Sequence, residues 1–451
     1  MKRRILTLAL GLFMAAVLSG CGSLPRFTLN PQELYARPQL PATYTELSGL
    51  LDDVLASGAE YAAPTTGSNI QSVQLIDLTG DGQEEAVAYF RMPGAEKPLK
   101  LCVFAPNDDG FRMSNLIEAS GSSIYSVAFN DLDADGLSEI LVGWKATAEL
   151  QVLEIYALQG TEHRTLLRTD YVRYAVLDLN GDGQQELVVL RADEEGDSVA
   201  EYYTRQEDGT YVQRSLAKVS MAMAELSLQG RLLTGKLRSG EPALFVTGVT
   251  VSQQMAVTDI YALREGEFVN LALDQATGVS QAVADFRSLY PSDINSDGVT
   301  EVPRPAPLAS PLDEDPQAPA YSVMEWRQYD LDGDSFAADY TYHNLEDSWY
   351  LRLPESWTGR FYVNRTVSGG DAIVTFYARD TGQPFLRIYA LTGTGRDGRS
   401  LWGGRFVLRR LSETIYAAEL PEEGRGDLTP EEAEVRTGFD LIAKEWLSGV
   451  M

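Results

Sequence analysis

"DLNGDGQQELVVL", residues 178–190, sets Asp178, Asn180 and Asp182 at alternate positions, turns at Gly183, adds Glu186, and runs straight into an apolar strand. A hard cation takes six to eight oxygen ligands, and a tight loop delivers them from alternate positions. With Asp178 as position 1, side-chain oxygens come from Asp178, Asn180 and Asp182. Gly183 permits the sharp turn, the carbonyl of Gln184 faces inward at position 7, and Glu186 closes the set at position 9. One such stretch reads equally as an acidic Asp-Gly turn with no ion. Its relatives elsewhere in the chain decide between the two.

The phrase recurs three times. "DLTGDGQEE" supplies Asp77, Thr79, Asp81, Gln83 and Glu85. "DLDADGLSE" supplies Asp131, Asp133, Asp135, Leu137 and Glu139, and "DINSDGVTE" supplies Asp293, Asn295, Asp297, Val299 and Glu301. At positions 7, held by Gln83, Leu137, Gln184 and Val299, only the backbone carbonyl is required. An EF-hand begins alike but needs a glutamate at position 12 and flanking helices. Here that position holds Ala88, Val142, Val189 and Arg304, and strands follow, so the EF-hand is rejected. Carboxyl groups crowded into one turn repel one another without a counter-charge. Four copies in register therefore point to Ca²⁺, three or four ions per chain, in a structural role.

The copies are spaced by about fifty residues, with a double interval before Asp293, which is the signature of propellers or solenoids. The missing copy is "LTGKLRSGEPALFVTG". Aligned on Leu244 and Gly240, its ligand positions become Gly235, Leu237, Ser239 and Ala243, so the strand pattern survives and the acids do not. Four candidate strands per unit, as in "ELVVLRA", "SVAEYYT", "TYVQRSL" and "AELSL", favour propeller blades. The loops resemble the FG-GAP and VCBS-type calcium repeats of integrin-like propellers, although the Phe-Gly and Gly-Ala-Pro segments of the first family are not recognisable. The resemblance covers about residues 70–345 and implies a mainly β fold, a propeller of about five or more blades with Asp-rich calcium loops. "YDLDGDSFAAD" offers Asp330, Asp332 and Asp334 but has Ser335 for the glycine and Ala338 for the glutamate, and reads as a hairpin turn.

The N-terminus carries Lys2, Arg3 and Arg4, an apolar run from Ile5 to Val17, then Leu18-Ser19-Gly20-Cys21. This is a signal peptide over 1–20, too short for the ~20 residues of a membrane span. The last four residues resemble the lipobox of bacterial lipoproteins, which implies lipidation of Cys21 and a membrane anchor on the extracytoplasmic face. Residues 21–44 form a proline-rich tether, and 45–69 a short helix leading into the repeats. Beyond 346 the period is lost. Residues 346–451 read as a small C-terminal α+β domain, whose last helix is capped by Thr429 with Pro430 first and Glu432 completing a capping box.

A net charge of −28 argues against nucleic acid as a partner. Cys102 lies in an apolar strand and reads as a buried small hydrophobe, while His163 and His343 read as solvated surface groups. "GTGRDG", 393–398, fits Gly-x-Gly-x-x-Gly, but the following residues read as a strand, so it is a loop. "RGD", 425–427, is too short to carry an adhesion reading. No catalytic residue is assigned. The expectation is a cell-envelope lipoprotein that binds or scaffolds an extracellular protein or glycan. A propeller-based hydrolase or lyase acting on envelope polysaccharide, and a purely structural envelope protein, are the alternatives.

Overall fold

The computed structural model describes residues 44–442 except 109, 251, 253, 287, 309–321 and 423–425. The signal peptide, Cys21 and the tether lie outside the described residues. The fold is mainly β, with 52% of residues in strands and 10% in helices, arranged as several antiparallel sheets.

Six of these sheets follow one another along the chain. The first has its strands at Val73–Ile76, Glu85–Arg91, Leu99–Asn107 and Gly110–Ala119, with Glu60–Tyr61 added to the second strand. The second sheet comprises Ser123–Asn130, Glu139–Lys145, Gln151–Gln159 and Glu162–Tyr171. The third comprises Arg173–Leu177, Glu186–Ala192, Ser198–Arg205 and Tyr211–Lys218. The fourth contains Arg231–Lys236, Pro242–Val249, Met255–Arg264 and Glu267–Asn270, with Ala282–Asp285 sharing an edge.

The fifth sheet runs through Val302–Pro307, Ser322–Tyr329, Ser335–Asn344 and Trp349–Arg352, and is completed by Phe439–Leu441. The sixth holds Phe361–Ser368, Asp371–Ala378, Pro384–Thr392, Thr414–Glu419 and Phe406–Arg410. The boundary drawn at 345/346 thus falls inside the fifth sheet. The sixth sheet has no acidic loop, which hides it from a motif count but not from backbone pairing.

Consecutive sheets are glued through both faces of their second strands, because side chains alternate across a strand. Val87 and Tyr89 pack with Ile140, Val142 and Trp144 of the next sheet, while Ala86, Ala88 and Phe90 face the other way. Leu187 and Val189 meet Leu141 and Ile155 behind them; Val188 and Leu190 meet Leu244 and Val246 ahead. This double burial produces the unbroken apolar runs that follow the first three acidic loops. Each fully buried Leu or Val contributes about 1.5–3 kcal/mol.

The series is capped at its start by the helix Thr45–Ala56, whose Leu47 and Leu51 cover Ala86, Ala88 and Phe104 of the first sheet. At its far end, Tyr342, Trp349 and Leu351 of the fifth sheet pack on Phe361, Phe376 and Phe385 of the sixth. The sixth sheet's second face has a separate cluster of Tyr389, Leu391, Ile415 and Ala417. Among the described residues no apolar cluster joins the first sheet to the sixth.

Three local expectations need correction. "AELSL" is not a fourth strand but part of a helix, Met223–Gln229; the fourth strand of each unit precedes its acidic loop. The final helix spans only Glu432–Gly438, capped by Glu431 with Glu434 closing the capping box, so its cap lies two residues beyond Thr429. It ends early because Phe439 and Leu441 are drawn into the fifth sheet against Leu351 and Trp349. The residues after "GTG" are not a strand either: Arg396–Arg399 is one helical turn, and strand resumes only at Phe406.

Candidate metal-binding loops

Three of the four acidic loops join the first and second strands of a sheet. In the fifth sheet the first strand shrinks to one bridge, Ser292 with Glu301. All four loops have two left-handed residues. Position 4 holds Gly80, Ala134, Gly181 and Ser296 at φ 66°, 59°, 77° and 62°, and position 6 holds Gly82, Gly136, Gly183 and Gly298 at φ 84–89°. Ala and Ser adopt this region only at a cost, so the path is imposed by the loop rather than chosen residue by residue.

Three hydrogen bonds recur in every copy. The position-6 glycine N–H donates to Oδ2 of the leading aspartate, Asp77, Asp131, Asp178 or Asp293, at 2.9 Å each time. The position-7 N–H, of Gln83, Leu137, Gln184 or Val299, donates to Oδ1 of Asp81, Asp135, Asp182 or Asp297 at 2.8 Å each time. The position-2 N–H donates to Oε2 of Glu85, Glu139, Glu186 or Glu301, at 2.8, 2.9, 2.8 and 3.1 Å respectively. At position 3, Thr79 and Asn180 donate to their glutamates at 3.3 and 2.6 Å, and Asn295 donates to Asp297 at 3.0 Å. In the fifth sheet the Gln328 amide adds bonds of 2.9 Å to Asp297 and 2.8 Å to Glu301.

The glutamates are at most 3% exposed. Burial raises the pKa of all four; backbone N–H donors pull the other way, and neighbouring aspartates add to the rise. For Glu301 the value is pushed up to about 7. A buried carboxylate with acids beside it is a site short of positive charge.

The donor set suits a hard cation: it is all oxygen, with no nitrogen or sulfur ligand. Carboxylate oxygens of Asp131, Asp133 and Glu139, and those of Asp178, Asp182 and Glu186, lie within 4.8 Å of one another. Oδ1 of Asp77 and of Asp133 are buried without a hydrogen-bond partner. At position 7 the Leu137 side chain points into solvent, consistent with a purely backbone role there. "YDLDGDSFAAD" is topologically different: it links the strands Ser322–Tyr329 and Ser335–Asn344, and Asp330 closes the turn by accepting from Asp332 and Asp334 N–H at 3.0 Å.

The loops also touch one another. Ser138 N–H donates to the Leu78 carbonyl at 2.9 Å, and Gln185 N–H to the Leu132 carbonyl at 2.8 Å, so position 8 of each loop binds position 2 of the loop before. Thr300 N–H repeats this onto Lys236 in the acid-free hairpin at 3.0 Å. The equivalent donor in that hairpin is Pro242, which has no N–H, so there the row is broken.

A second repeat escaped the sequence reading. On the third strands, Glu154, Glu201 and Asp259 are buried, and each accepts from a tyrosine two residues on: Tyr156, Tyr203 at 2.8 Å and Tyr261 at 3.3 Å. Arg168 and Arg191 pair with the two glutamates, whereas Ser220 donates twice to Asp259, at 2.8 and 2.6 Å. "LEIYAL", "AEYYTR" and "TDIYAL" carried the signal, but an acid inside a strand reads as solvent-facing until the neighbouring sheet is placed.

Cys102 is buried, as expected, and burial raises its thiol to about 11, so it is inert. His163 is exposed. His343 departs from expectation: its Nδ1 pairs with Thr341 Oγ1 at 3.0 Å, its ring stacks on Tyr350 at 5.0 Å, and burial lowers its pKa to about 3. Asp427 of the "RGD" pairs with Arg360, and Arg425 lies outside the described residues.

No family model matches the chain, and no curated protein matches it. Among the described residues no helix is long and apolar enough to cross a membrane.

Proposed function

We propose that this chain is a lipid-anchored protein of the extracytoplasmic membrane face, a calcium-stabilised propeller-type scaffold that binds an extracellular protein or glycan. The observation that carries the reading is the set of three hydrogen bonds repeated in four loops along one series of sheets. Asp77, Thr79, Asp81 and Glu85, with their counterparts in the other loops and the carbonyls at position 7, would hold Ca²⁺. The ion would supply the positive charge the buried glutamates lack. These loops sit at strand turns, and the first three are bonded one to the next, so the gain is rigidity of a sheet corner. Consecutive four-stranded meanders, each packed face to face on the next, support the blade assignment for the sheets.

The test is thermal unfolding of the purified protein with excess chelator and with added calcium. Calcium raises the melting temperature, and Asp182→Asn removes one ion while the others remain. Superimposable melts overturn the calcium reading. Cys21→Ala moves the protein from the membrane to the soluble fraction. A glycan-array and envelope pull-down screen identifies the ligand, and reproducible product release from a polysaccharide overturns the non-enzymatic reading.

A further inference from the structure

The second loop differs from the other three in a way its motif conceals. Position 3 is Thr79, Asn180 and Asn295 elsewhere, but Asp133 here, so this loop carries one more carboxylate. It also meets a cation from the neighbouring sheet. Arg205, the last residue of the strand Ser198–Arg205, forms an ion pair with Asp133 through Nη1 and Oδ2, the two side chains being 21% and 8% exposed. Its positive charge reaches Glu139 and Tyr211 as well. Asp133 Oδ1 is buried without a hydrogen-bond partner, and the Asp133 carboxylate lies in one group with those of Asp131 and Glu139. Among the described residues no acid of the other three loops has such an ion pair.

We propose that Arg205 is a built-in cation of the second loop. Its guanidinium supplies a fixed positive charge that the other loops lack and that offsets the extra Asp133 carboxylate, so this loop binds an ion less tightly than its four acids alone would and holds its shape without one. The inference rests on reading the loops as cation sites. A unit positive charge beside two carboxylates repels an incoming ion, and partial burial keeps solvent from screening it. Arg suits the role because it stays protonated and its planar fork fits a carboxylate.

Calcium titration by calorimetry, with terbium(III) luminescence as a second readout, tests this on the full chain. Arg205→Met tightens one calcium site by roughly ten- to a hundredfold and leaves the others unchanged. It also lowers the melting temperature in chelator, because Asp133 loses its partner, and so widens the gap between chelated and calcium-loaded melts. Site affinities that are all unchanged, or a site that weakens, overturn the proposal. Should Arg205→Met fail to fold, Arg205→Gln serves instead, since it removes the charge and keeps a polar partner for Asp133. It too tightens one calcium site, and affinities left unchanged by it overturn the proposal. Wild-type protein that binds neither terbium nor calcium overturns the cation-site reading along with it, whereas wild type that binds while Arg205→Met changes nothing overturns only the role of Arg205.

Discussion

The hairpins at 178–186 and 235–243 occupy the same place in successive sheets and close by different means. In the first, strand pairing stops at Leu177 with Glu186, and the N–H groups of Leu179 and Asn180 are taken by the Glu186 carboxylate at 2.8 and 3.3 Å. In the second, pairing continues to Lys236 with Pro242, and the backbone N–H groups are taken by backbone carbonyls: Leu237 N–H by Glu241 and Gly240 N–H by Leu237, both at 2.9 Å. Where one buries Glu186, the other buries Ala243; where one has Asn180, the other buries Leu237 completely. Carboxylates in the first hairpin perform what a longer ladder and an apolar plug perform in the second. The acids are therefore not needed to make this corner, and their presence in four loops calls for a charge-based role.

Exchanging the buried residues breaks the comparison most sharply. Ala243→Glu puts a carboxylate into a hairpin whose backbone donors are already used, and should cost about 3–5 kcal/mol, read as a loss of urea stability. Glu186→Ala leaves two backbone N–H groups without their acceptor and should cost about 1–3 kcal/mol. Equal losses would show that the two corners are built alike after all.

Of the two kinds of hairpin, acid should act on the acidic loops. Glu301 has a folded pKa of about 7 against an ordinary value of 4.5, so the folded state binds its proton more tightly than the unfolded state. The stabilisation is complete below the unfolded value and is lost as pH rises through 7. In chelator, lowering the pH from 8 to 5 should thus raise stability, by on the order of 3 kcal/mol from this group. Glu301→Gln should flatten that rise. A chelated protein whose stability falls steadily from pH 8 to 5, with the variant following it, would remove the charge shortage from the account.

Calcium should act with a similar sign and a slightly smaller size. At a free concentration of a hundred times its dissociation constant, one site gains about 2.7 kcal/mol. Gly235→Asp in the acid-free hairpin should add nothing to this linkage, since Leu237, Ser239 and Ala243 offer no carboxylate. The smallest effect concerns what the two hairpins share. Gly183 and Gly240 are left-handed at φ 89° and 100°, with open space where a Cβ would stand. Alanine at either should cost about 1 kcal/mol, from backbone strain alone. Equal costs, measured by chemical unfolding, would place the likeness of the two corners in the backbone.

Much of this was legible in the residues. Apolar runs after the first three loops announced strands, and the acid-free copy at 235–243 was located by its spacing. Cys102 read correctly because an apolar strand has one plausible place for a small thiol. His343 did not, since a polar turn-like context in "YTYHNLED" conceals that Trp326 and Tyr350 enclose the ring. The sixth sheet was missed as a continuation of the series because it lacks the acidic loop by which the others were counted. The strand at Phe439–Leu441 was missed because its partner, Trp349–Arg352, lies nearly ninety residues earlier, and no local signal reports a distant open edge.

Sequence alone settled the local chemistry of this protein: which oxygens share a loop, where glycine lets the chain turn, and which apolar runs become strands. These depend on residues within about ten positions of one another, where spacing determines geometry. The tertiary structure alone decided what each loop meets. That Arg205 reaches Asp133, that Gln328 reaches Asp297 and Glu301, and that Pro242 interrupts the row of loops are matters of which sheet packs on which. Charge and hydrogen bonding act through space, so loops with one motif acquire different electrostatic surroundings when different neighbours are packed against them.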